Sequence, residues 1–403
     1  MRILVVILDP RFGGIPNRVA LVSEGVIREG GIVSAVVPKG SDEAKFLLLS
    51  AGIPTESLTY GLLIPTKLEL THKEMALWLL NSLAFPALLI REIRRRQAEI
   101  VHVNGLYGIR AVTAAKIAGK RVVWHLVSTN YPKFLVWIWR ILLSKAADVT
   151  IFVSETTSRF YVGKRSLRRS ERIIFEGVDT DEFSRERVRP KDIEETRSEL
   201  HIGKEERIVL FVGNLNRSKG VEILIQAFSM LPRADPQATL VISGQTIATQ
   251  IGYREFLEKK ASDLNLGRRV RFVGRYPRLR KLLASAEMLV VPSLAEGTPA
   301  VIMEAMSMNV PVIASRVGGV PELVSEGRTG LLVPPGDVEA LKGAIQFMLD
   351  NSEVRESMGK MARVTAIERF SKCICVQKHV DVYQELSRSP AKGTKISYPH
   401  SKY

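Results

Sequence analysis

The sequence predicts an α/β protein built from two doubly wound domains that face each other across a cleft. Short apolar runs typical of buried strands alternate with segments of helical periodicity along most of the chain. Strands that alternate with helices favour parallel sheets covered on both faces. The alternation restarts after a highly charged segment near residue 207, and 403 residues are enough for two domains with their own cores.

The strand-like runs divide into two series, each with helical segments between most of its members. The first begins with "RILVVIL", after which "FGG" opens a helical segment. It continues with "IVSAVVP", "AEIVHVNG", "KRVVWHL" and "ADVTIFVS"; the second series is "RIVLFVGNL", "ATLVISG", "RVRFVG", "EMLVVPS", "NVPVIAS" and "GLLVP". Ligands of open parallel sheets bind beyond the carboxyl ends of the strands, so we expect function in the cleft between the domains.

These two series set the domain boundaries that we predict. The chain divides into a Rossmann-like domain at 1–183, a charged linker at 184–206, a Rossmann-like domain at 207–370, a helix at 371–387 returning to the first domain, and a basic tail at 388–403 expected to be disordered.

The net charge of +16 raises nucleic acid or an anionic membrane as a partner. No recognition-helix, zinc-finger or RNA-binding signature accompanies the charge, so nucleic acid is disfavoured. Basic clusters at 91–96 and 163–172, with the aromatic-rich segment 131–145, favour peripheral contact with acidic lipid head groups. The alternative is that the apolar stretches are core helices and each basic cluster is a solvated face.

Two further features favour a cytosolic setting. The longest uncharged run, 75–90, is shorter than the roughly 20 residues that span a bilayer, so no transmembrane helix is predicted. Cys373 and Cys375 are the only cysteines, which excludes a disulfide framework.

The stretch "AEGTPAVIMEAM" predicts an anion site at the start of a helix. We expect Thr298 to be the N-cap and Pro299 the first helical residue, with free N–H groups pointing out of the sheet edge. Glu296 would lie on the rim, and Glu304 would be half-buried among apolar residues. A buried carboxylate needs donors, and a ribose diol offers two. The alternative is an ordinary capped helix whose Glu304 pairs with the backbone or an arginine.

Two other turns are also candidates for binding a phosphate or a sugar. Gly13 and Gly14 follow the first strand, where the lack of a Cβ lets the backbone approach a phosphate or sugar, although a tight turn explains them equally well. Arg217 and Lys219 follow the first strand of the second series, where two cations could neutralise a diphosphate. The alternative for this pair is a solvated turn.

Five motifs in this order resemble the GT-B-fold glycosyltransferases of family 4. They are "FEGVDTDEF", "VGNLNRSKG", "EGTPAVIMEAM", "NVPVIASRVGGVPELV" and "TGLLVPPGD". The resemblance is strongest from residue 207 to residue 380; in the first half it depends on the Gly-Gly turn, "EIVHVNG" and the alternation of elements. It implies that the first domain binds the acceptor and the second the nucleotide-sugar donor.

The resemblance also implies roles for single residues. Glu296 would lie near the donor sugar, Glu304 would hold the ribose hydroxyls, and Lys219 would bear on the diphosphate. The backbone at Thr298, Pro299 and Ala300 would meet the diphosphate and sugar. The donor-binding set that we predict further includes Gly244, which ends the run "ATLVISG", and Arg275, which follows "RVRFVG". Its other members are Gly13, Gly14, Asn214 and Arg217.

Two positions depart from the family pattern. The family usually has arginine directly after the strand-ending glycine, where this chain has Asn214, so Arg217 is a candidate replacement for the charge. Many relatives carry a His-x-His arrangement where this chain has His125 and Val127. His125 is therefore either a partial replacement for the catalytic-site histidine or a buried structural residue.

The function that we predict is retaining transfer of a sugar from a nucleotide-sugar, such as a UDP- or GDP-sugar, to a hydroxyl of a glycan, lipid or lipid-linked acceptor. The candidate catalytic residues are Glu296, Lys219, Arg217 and His125. Asp179 and Asp181 resemble a metal-binding D-x-D but lie in a loop near the domain hinge in this family, so neither a catalytic metal nor another cofactor is expected. The alternatives are a nucleotide-sugar epimerase of similar fold and a basic nucleic-acid-binding protein with a degenerate nucleotide pocket.

Overall fold

A computed structural model of the chain describes nearly all of both sheets and the helices around them. The described residues are 1–8, 14–59, 72–105, 108–127, 136, 146–232, 238–246, 250 and 252–388, and the side chains of 72–83 are not described. The predicted architecture is confirmed: the described strands form two parallel sheets, one in each half of the chain.

The first sheet has seven described strands in the order β3-β2-β1-β4-β5-β6-β7, all parallel. The strands are β1 Arg2–Val6, β2 Ile32–Pro38, β3 Thr55–Leu58, β4 Ile100–Asn104, β5 Arg121–Leu126, β6 Val149–Phe152 and β7 Glu171–Ile173. Most inner-strand residues are buried, because helices cover both faces.

The helices of this half connect successive strands. They are α1 Gly14–Arg28, α2 Asp42–Ser50, α3 His72–Arg95, α4 Ile109–Ile117 and α5 Glu155–Val162. The aromatic-rich segment 131–145 and the tail 389–403 lie outside the described residues, apart from position 136. No helix in the described part of the chain is both long enough and apolar enough to cross a bilayer.

The second sheet has six described strands in the order β10-β9-β8-β11-β12-β13, again parallel. The strands are β8 Arg207–Val212, β9 Ala238–Ser243, β10 Val270–Gly274, β11 Met288–Val291, β12 Val312–Ser315 and β13 Gly330–Val333. The helices are α6 Pro190–Glu199, α7 Val221–Ser229, α8 Tyr253–Asp263, α9 Leu279–Ala284, α10 Ala300–Ser307, α11 Val320–Leu323, α12 Val338–Asp350, α13 Ser352–Phe370 and α14 Lys372–Arg388.

The charged segment 184–206 is not an extended connection. It contains α6, which packs against α9 of the second half. Asp192 anchors this contact, because its Oδ1 lies 2.8 Å from Nζ of Lys281. The segment is therefore a folded part of the second half, although its composition suggested a linker.

The last helix, α14, packs against α1 of the first half. Nζ of Lys372 lies 2.5 Å from Oε2 of Glu24 on α1. Gly25 of α1 allows the helices to approach closely, since a Cβ there would stand 2.0 Å from a methyl carbon of Val376. The chain thus crosses from the second half back onto the first.

The carboxyl edges of the two sheets face each other. The carboxylate of Glu322, at the start of α11, accepts hydrogen bonds of 2.6 Å from the backbone N–H groups of Glu155 and Thr156 at the start of α5. A Cβ on Gly297, after β11, would stand 2.9 Å from the carbonyl oxygen of Val127, after β5. This arrangement places a cleft where the sequence predicts the functional site.

Candidate functional site

An ion pair between Lys219 and Glu296 lies at the carboxyl edge of the second sheet. Lys219 ends a short 3₁₀ turn after β8, and Glu296 lies in the loop after the neighbouring strand β11. Nζ of Lys219 is 2.5 Å from Oε1 of Glu296. The hydroxyl of Ser293 donates to the same Oε1 at 2.8 Å. The structure therefore brings together two of the predicted catalytic residues, which are 77 positions apart in the sequence.

Two glycines allow the backbone segments around this pair to approach each other closely. Gly220 follows Lys219 with a φ of 66°, and a Cβ on it would stand 2.1 Å from the carbonyl oxygen of Pro292. Gly318 has a φ of 52°, and a Cβ on it would stand 1.9 Å from the carbonyl oxygen of Glu296. Only glycine allows these backbones to approach each other so closely. Sequence reasoning assigned neither residue a role, although both lie within the motifs "VGNLNRSKG" and "NVPVIASRVGGVPELV".

The helix after Glu296 begins one residue later than predicted. Helix α10 starts at Ala300, and its N-cap is Pro299, which adopts an extended conformation. The prediction that Thr298 caps the helix is wrong: its Oγ1 is buried and has no hydrogen-bond partner among the described residues. An unpaired buried hydroxyl beside the first turn of a helix can bond a ligand oxygen.

Glu304 lies on α10, one turn after its start, and is half-buried. No side chain or backbone group in the described part of the chain forms a hydrogen bond or ion pair with its carboxylate. Burial raises the pKa of Glu304 to about 7, and repulsion from Glu182 contributes to the increase. The alternative of a backbone or arginine partner is therefore not seen, and the carboxylate is available to accept hydrogen bonds from ligand hydroxyls.

A cleft of about 670 Å³ lies at the carboxyl ends of β8, β9 and β10. Three predicted donor-binding residues line it, Asn214, Gly244 and Arg275. Glu43 on α2 lines it from the first half. Lys219, Glu296 and Glu304 are not among its lining residues. Because β8 and β11 are adjacent, the cleft and the Lys219–Glu296 pair occupy neighbouring positions along one sheet edge.

Arg217 is directed away from the Lys219–Glu296 pair. Its guanidinium carbon stands 5.6 Å from the ring centre of Tyr253 and 5.5 Å from that of Phe256, both on α8. Its Nη1 lies 3.9 Å from a carboxylate oxygen of Glu222, and the side chain is 66% exposed. These contacts are cation–π and surface ion-pair interactions. In this structure, Arg217 does not supply the charge that is absent at Asn214.

His125 lies in the core of the first half and not with Lys219 and Glu296. It is fully buried, and its Nδ1 is 3.3 Å from Nε2 of His102. The ring of His379 on α14 lies 5.5 Å away, centre to centre. Burial lowers the pKa of His125 well below that of a free histidine, with the nearby charge of Arg18 contributing. This geometry corresponds to the structural alternative for His125.

Of the Gly-Gly turn, Gly13 lies outside the described residues, and Gly14 begins α1. A Cβ on Gly14 would stand 3.0 Å from Oε2 of Glu176. A protein carboxylate therefore occupies the space beside this glycine, where the sequence suggested a phosphate or a sugar.

The Asp179–Asp181 segment forms a turn. Oδ1 of Asp179 accepts hydrogen bonds from the backbone N–H groups of Asp181 and Glu182, and its Oδ2 lies 3.6 Å from Nζ of Lys372. Asp179 thus has a structural role in the segment that joins the two halves. Within the described ranges, no group of three or more His, Cys, Asp or Glu side chains is arranged to hold a metal ion.

Two family models match most of the chain between them. The model of Glycosyltransferase Family 4 matches residues 12–182, and the model of Glycosyl transferases group 1 matches residues 192–365. These ranges contain all the predicted site residues. The boundary between them falls within the charged segment.

Characterised relatives are similar over long segments. The chain is 31% identical over 301 residues to a sulfoquinovosyl transferase of Arabidopsis thaliana, covering 70% of this chain and 56% of that protein. It is 27% identical over 346 residues to an alpha-D-kanosaminyltransferase of Streptomyces kanamyceticus, covering 80% and 86%. The match to an N-acetyl-alpha-D-glucosaminyl L-malate synthase of Bacillus anthracis covers 50% of this chain and 52% of that protein. The chain thus spans only about half the length of the first and third of these relatives.

Solved structures share the whole fold. HepE of Anabaena, in complex with UDP, has a TM-score of 0.81 and 22% identity, covering 96% of this chain and all of that one. A glycosyltransferase of Rickettsia africae has a TM-score of 0.84 and 19% identity, covering 96% and 99%. At these identities the likeness establishes the architecture, two Rossmann-like domains with a cleft between them.

Proposed function

Because the chain belongs to the GT-B glycosyltransferases of the family 4 and group 1 models, we propose that it is a retaining enzyme that moves a sugar from a nucleotide-sugar to an acceptor hydroxyl. One observation carries the proposal, the Lys219–Glu296 pair beside the start of α10. A cation next to free helix N–H groups is suited to stabilise a diphosphate that leaves with growing negative charge.

The diphosphate would rearrange this pair on binding. Lys219 is 26% exposed at its side chain, so a phosphate oxygen can reach it. The ammonium would exchange Glu296 for the diphosphate, and Glu296 would then accept hydrogen bonds from the donor sugar. The backbone at Ala300 and the unpaired Thr298 hydroxyl would contact the diphosphate and sugar, because both lie at the start of α10. The acceptor hydroxyl would attack the anomeric carbon from the face that the diphosphate leaves. Its oxygen forms the new glycosidic bond as the sugar–diphosphate bond breaks, and the departing diphosphate oxygen takes up the hydroxyl proton.

The nucleoside would lie between Glu304 and the neighbouring cleft. The ionised carboxylate of Glu304 offers two oxygens to a ribose diol. The cleft of about 670 Å³, lined by Asn214, Gly244 and Arg275, falls within the size range of small-molecule sites and would take the base. Solved structures of HepE contain UDP and UDP-glucose, which favours a UDP-sugar as the first donor to test.

The acceptor class is a glycan, a lipid or a lipid-linked glycan, and we place the enzyme in the cytosol or at the cytosolic membrane face. Part of the basic charge already has partners within the protein: Arg95 and Arg96 pair with Glu92, and Arg165 pairs with Glu171. Lys164, Arg168 and Arg169 form a second, exposed group of cations in the first half. This exposed group supports the membrane part of the proposal. The run 75–90 supports it less, because its Phe85 and Leu89 are buried in the core of the first half.

Release of nucleoside diphosphate from a sugar nucleotide, with and without acceptor, tests the proposal. A transferase releases diphosphate faster with acceptor, whereas an epimerase converts the donor without one. A nucleic-acid binder with a degenerate pocket would leave every sugar nucleotide intact and would bind nucleic acid in a shift assay. Only acceptor-stimulated release that Lys219→Ala slows by roughly 100-fold or more supports the proposed function.

A further inference from the structure

A buried arginine holds the carboxylate of Glu176 at the carboxyl edge of the first sheet. Nη1 of Arg18 donates to Oε1 of Glu176 at 2.7 Å. Nη2 of Arg18 donates to Oδ1 of Asn104 at 2.5 Å, and Nδ2 of Asn104 donates to the carbonyl oxygen of Val6 at 3.3 Å. The Arg18 side chain is 3% exposed and the Glu176 side chain 14%. Because the arginine is fixed on both sides, the carboxylate that it holds has one orientation.

The second oxygen of this carboxylate has no such partner. Oε2 of Glu176 accepts no hydrogen bond from any residue in the described ranges. It lies beside Gly14, where an added Cβ would stand 3.0 Å from it. This oxygen therefore keeps lone pairs available for an O–H donor beside the first turn of α1. A phosphate at the same place would meet the negative charge of Glu176 at close range, which is unfavourable.

Glu176 lies at the carboxyl edge of the first sheet. Asn104 ends β4, Gly14 follows β1, and Glu176 follows β7, so all three lie at the edge that faces the second half. Ligands of parallel sheets bind at this edge. Glu176 belongs to the half that we propose for the acceptor.

We propose that Glu176 is an acceptor-binding residue whose Oε2 accepts a hydrogen bond from a hydroxyl group beside Gly14. The acceptor thus presents a neutral, hydroxyl-bearing group at this point and not a phosphate. Arg18 positions the carboxylate through the ion pair at 2.7 Å. This inference rests on the proposed glycosyl transfer, and it adds a contact and a chemical preference on the acceptor side.

The competing explanation is that Glu176 only neutralises buried Arg18. Glu176→Gln separates the two, because its carbonyl oxygen can still accept from Arg18 while the charge and the second acceptor oxygen are lost. Diphosphate release is measured with saturating sugar nucleotide and with octyl β-D-glucoside, methyl α-D-glucoside or glycerol as acceptor. We expect the KM for the most effective of these acceptors to rise about tenfold or more, the effect of losing one hydrogen bond to a charged group. The KM for the donor stays unchanged.

Gly14→Ala provides a second variant that should fold. Its Cβ would crowd Oε2 of Glu176, while alanine is favourable in the helix. We expect the same rise in acceptor KM, with an unchanged or higher melting temperature. Glu29→Gln, at an exposed position on the C-terminal side of α1, is the matched control and should behave as wild type.

The outcomes separate this inference from the proposed function. Failure of the wild type to bind or consume any sugar nucleotide contradicts the proposed function. Normal donor use with an unchanged acceptor KM in both variants overturns the role of Glu176, as does a fall in melting temperature with no kinetic change. Donor binding without stimulation by any of the three hydroxyl compounds also overturns it.

Discussion

Lys219 and Glu296 neutralise each other at the carboxyl edge of the second sheet, 2.5 Å apart from Nζ to Oε1. The two residues follow neighbouring strands, and glycines at positions 220 and 318 are required for their approach. In the unliganded protein, the ammonium of Lys219 therefore lies beside the carboxylate of Glu296, which precedes α10. In the proposed function, a diphosphate would replace Glu296 as the partner of this cation.

Replacing Lys219 by alanine should lower turnover far more than donor affinity. The lysine meets charge that grows as the glycosidic bond of the donor breaks, and loss of one such group typically costs roughly 100-fold to 1,000-fold in rate. Steady-state kinetics with the donor varied measure both quantities. Arg217→Ala removes a cation two residues earlier whose guanidinium lies over Tyr253 and Phe256, and it should retain nearly wild-type kcat. Equal losses in the two variants would contradict the assignment of the diphosphate to Lys219 and not Arg217.

Glu304→Gln should weaken nucleotide binding while stabilising the unliganded protein. Binding should fall by roughly 1–3 kcal/mol because one charged hydrogen-bond acceptor is lost. Stability should rise because the folded protein holds a proton on Glu304 up to about pH 7, whereas the unfolded chain releases it near the ordinary glutamate pKa of 4.5. The wild type therefore loses stability as pH rises through this window.

The pH dependence provides the check on Glu304. At pH 8 the glutamine variant should be more stable than the wild type by roughly 1–3 kcal/mol in urea unfolding, and at pH 4.5 the two should converge. Nucleotide affinity measured by calorimetry should rise with pH through 7 in the wild type more steeply than in the variant. Glu339→Gln, at an exposed helical position, serves as the control. A pH-independent difference in stability would refute a raised pKa for Glu304.

The architecture was predictable because each strand is a short apolar run bounded by polar or turn residues, as in "AEMLVVPS" around β11. The proximity of Lys219 and Glu296 was predictable because they follow adjacent strands, β8 and β11, whose ends share one edge. Arg217 was not, since its partners Tyr253 and Phe256 lie on a helix more than 30 positions away. The burial of His125 likewise depends on α14, which comes from the far end of the chain.

His379→Phe should make the protein less sensitive to acid. Burial lowers the pKa of His379 to about 4, and burial also lowers those of His102 and His125, beside Arg18. Their contribution to stability is present above the unfolded pKa near 6.5 and is lost as pH falls below it. His379 alone should lower the free energy of unfolding by roughly 2 kcal/mol as pH falls from 6.5 to 4.5.

Melting temperatures across this pH range test the histidine cluster. The fall in melting temperature should be shallower in His379→Phe than in the wild type. His201→Asn, at an exposed position with positive φ that asparagine tolerates, should fall as steeply as the wild type. Parallel curves for all three proteins would remove the cluster as the source of acid sensitivity.

Membrane contact should be electrostatic and confined to the first half. We expect co-flotation with phosphatidylglycerol vesicles at low salt, less at moderate salt, and none with phosphatidylcholine vesicles. Reversing the charges of Lys164, Arg168 and Arg169 to glutamate should reduce binding at least about tenfold, because each cation near the surface adds about 1 kcal/mol.

The control for flotation reverses three exposed cations of the second half, Lys204, Arg268 and Lys360. It changes the net charge equally and should leave flotation intact. Equal loss in both triple variants would mean that net charge alone drives the binding. A wild-type protein that stays with the soluble fraction under all conditions would refute membrane contact.

The anomeric configuration of the product, followed by proton NMR with a sugar nucleotide and an acceptor, tests the central claim most directly. We expect the transferred sugar to keep the configuration that it has in the donor, with nucleoside diphosphate released in equal amount and product formed roughly 100-fold to 1,000-fold more slowly by Lys219→Ala. An inverted anomeric centre would contradict retention, and an epimerised nucleotide-sugar with no new glycosidic bond would contradict glycosyl transfer.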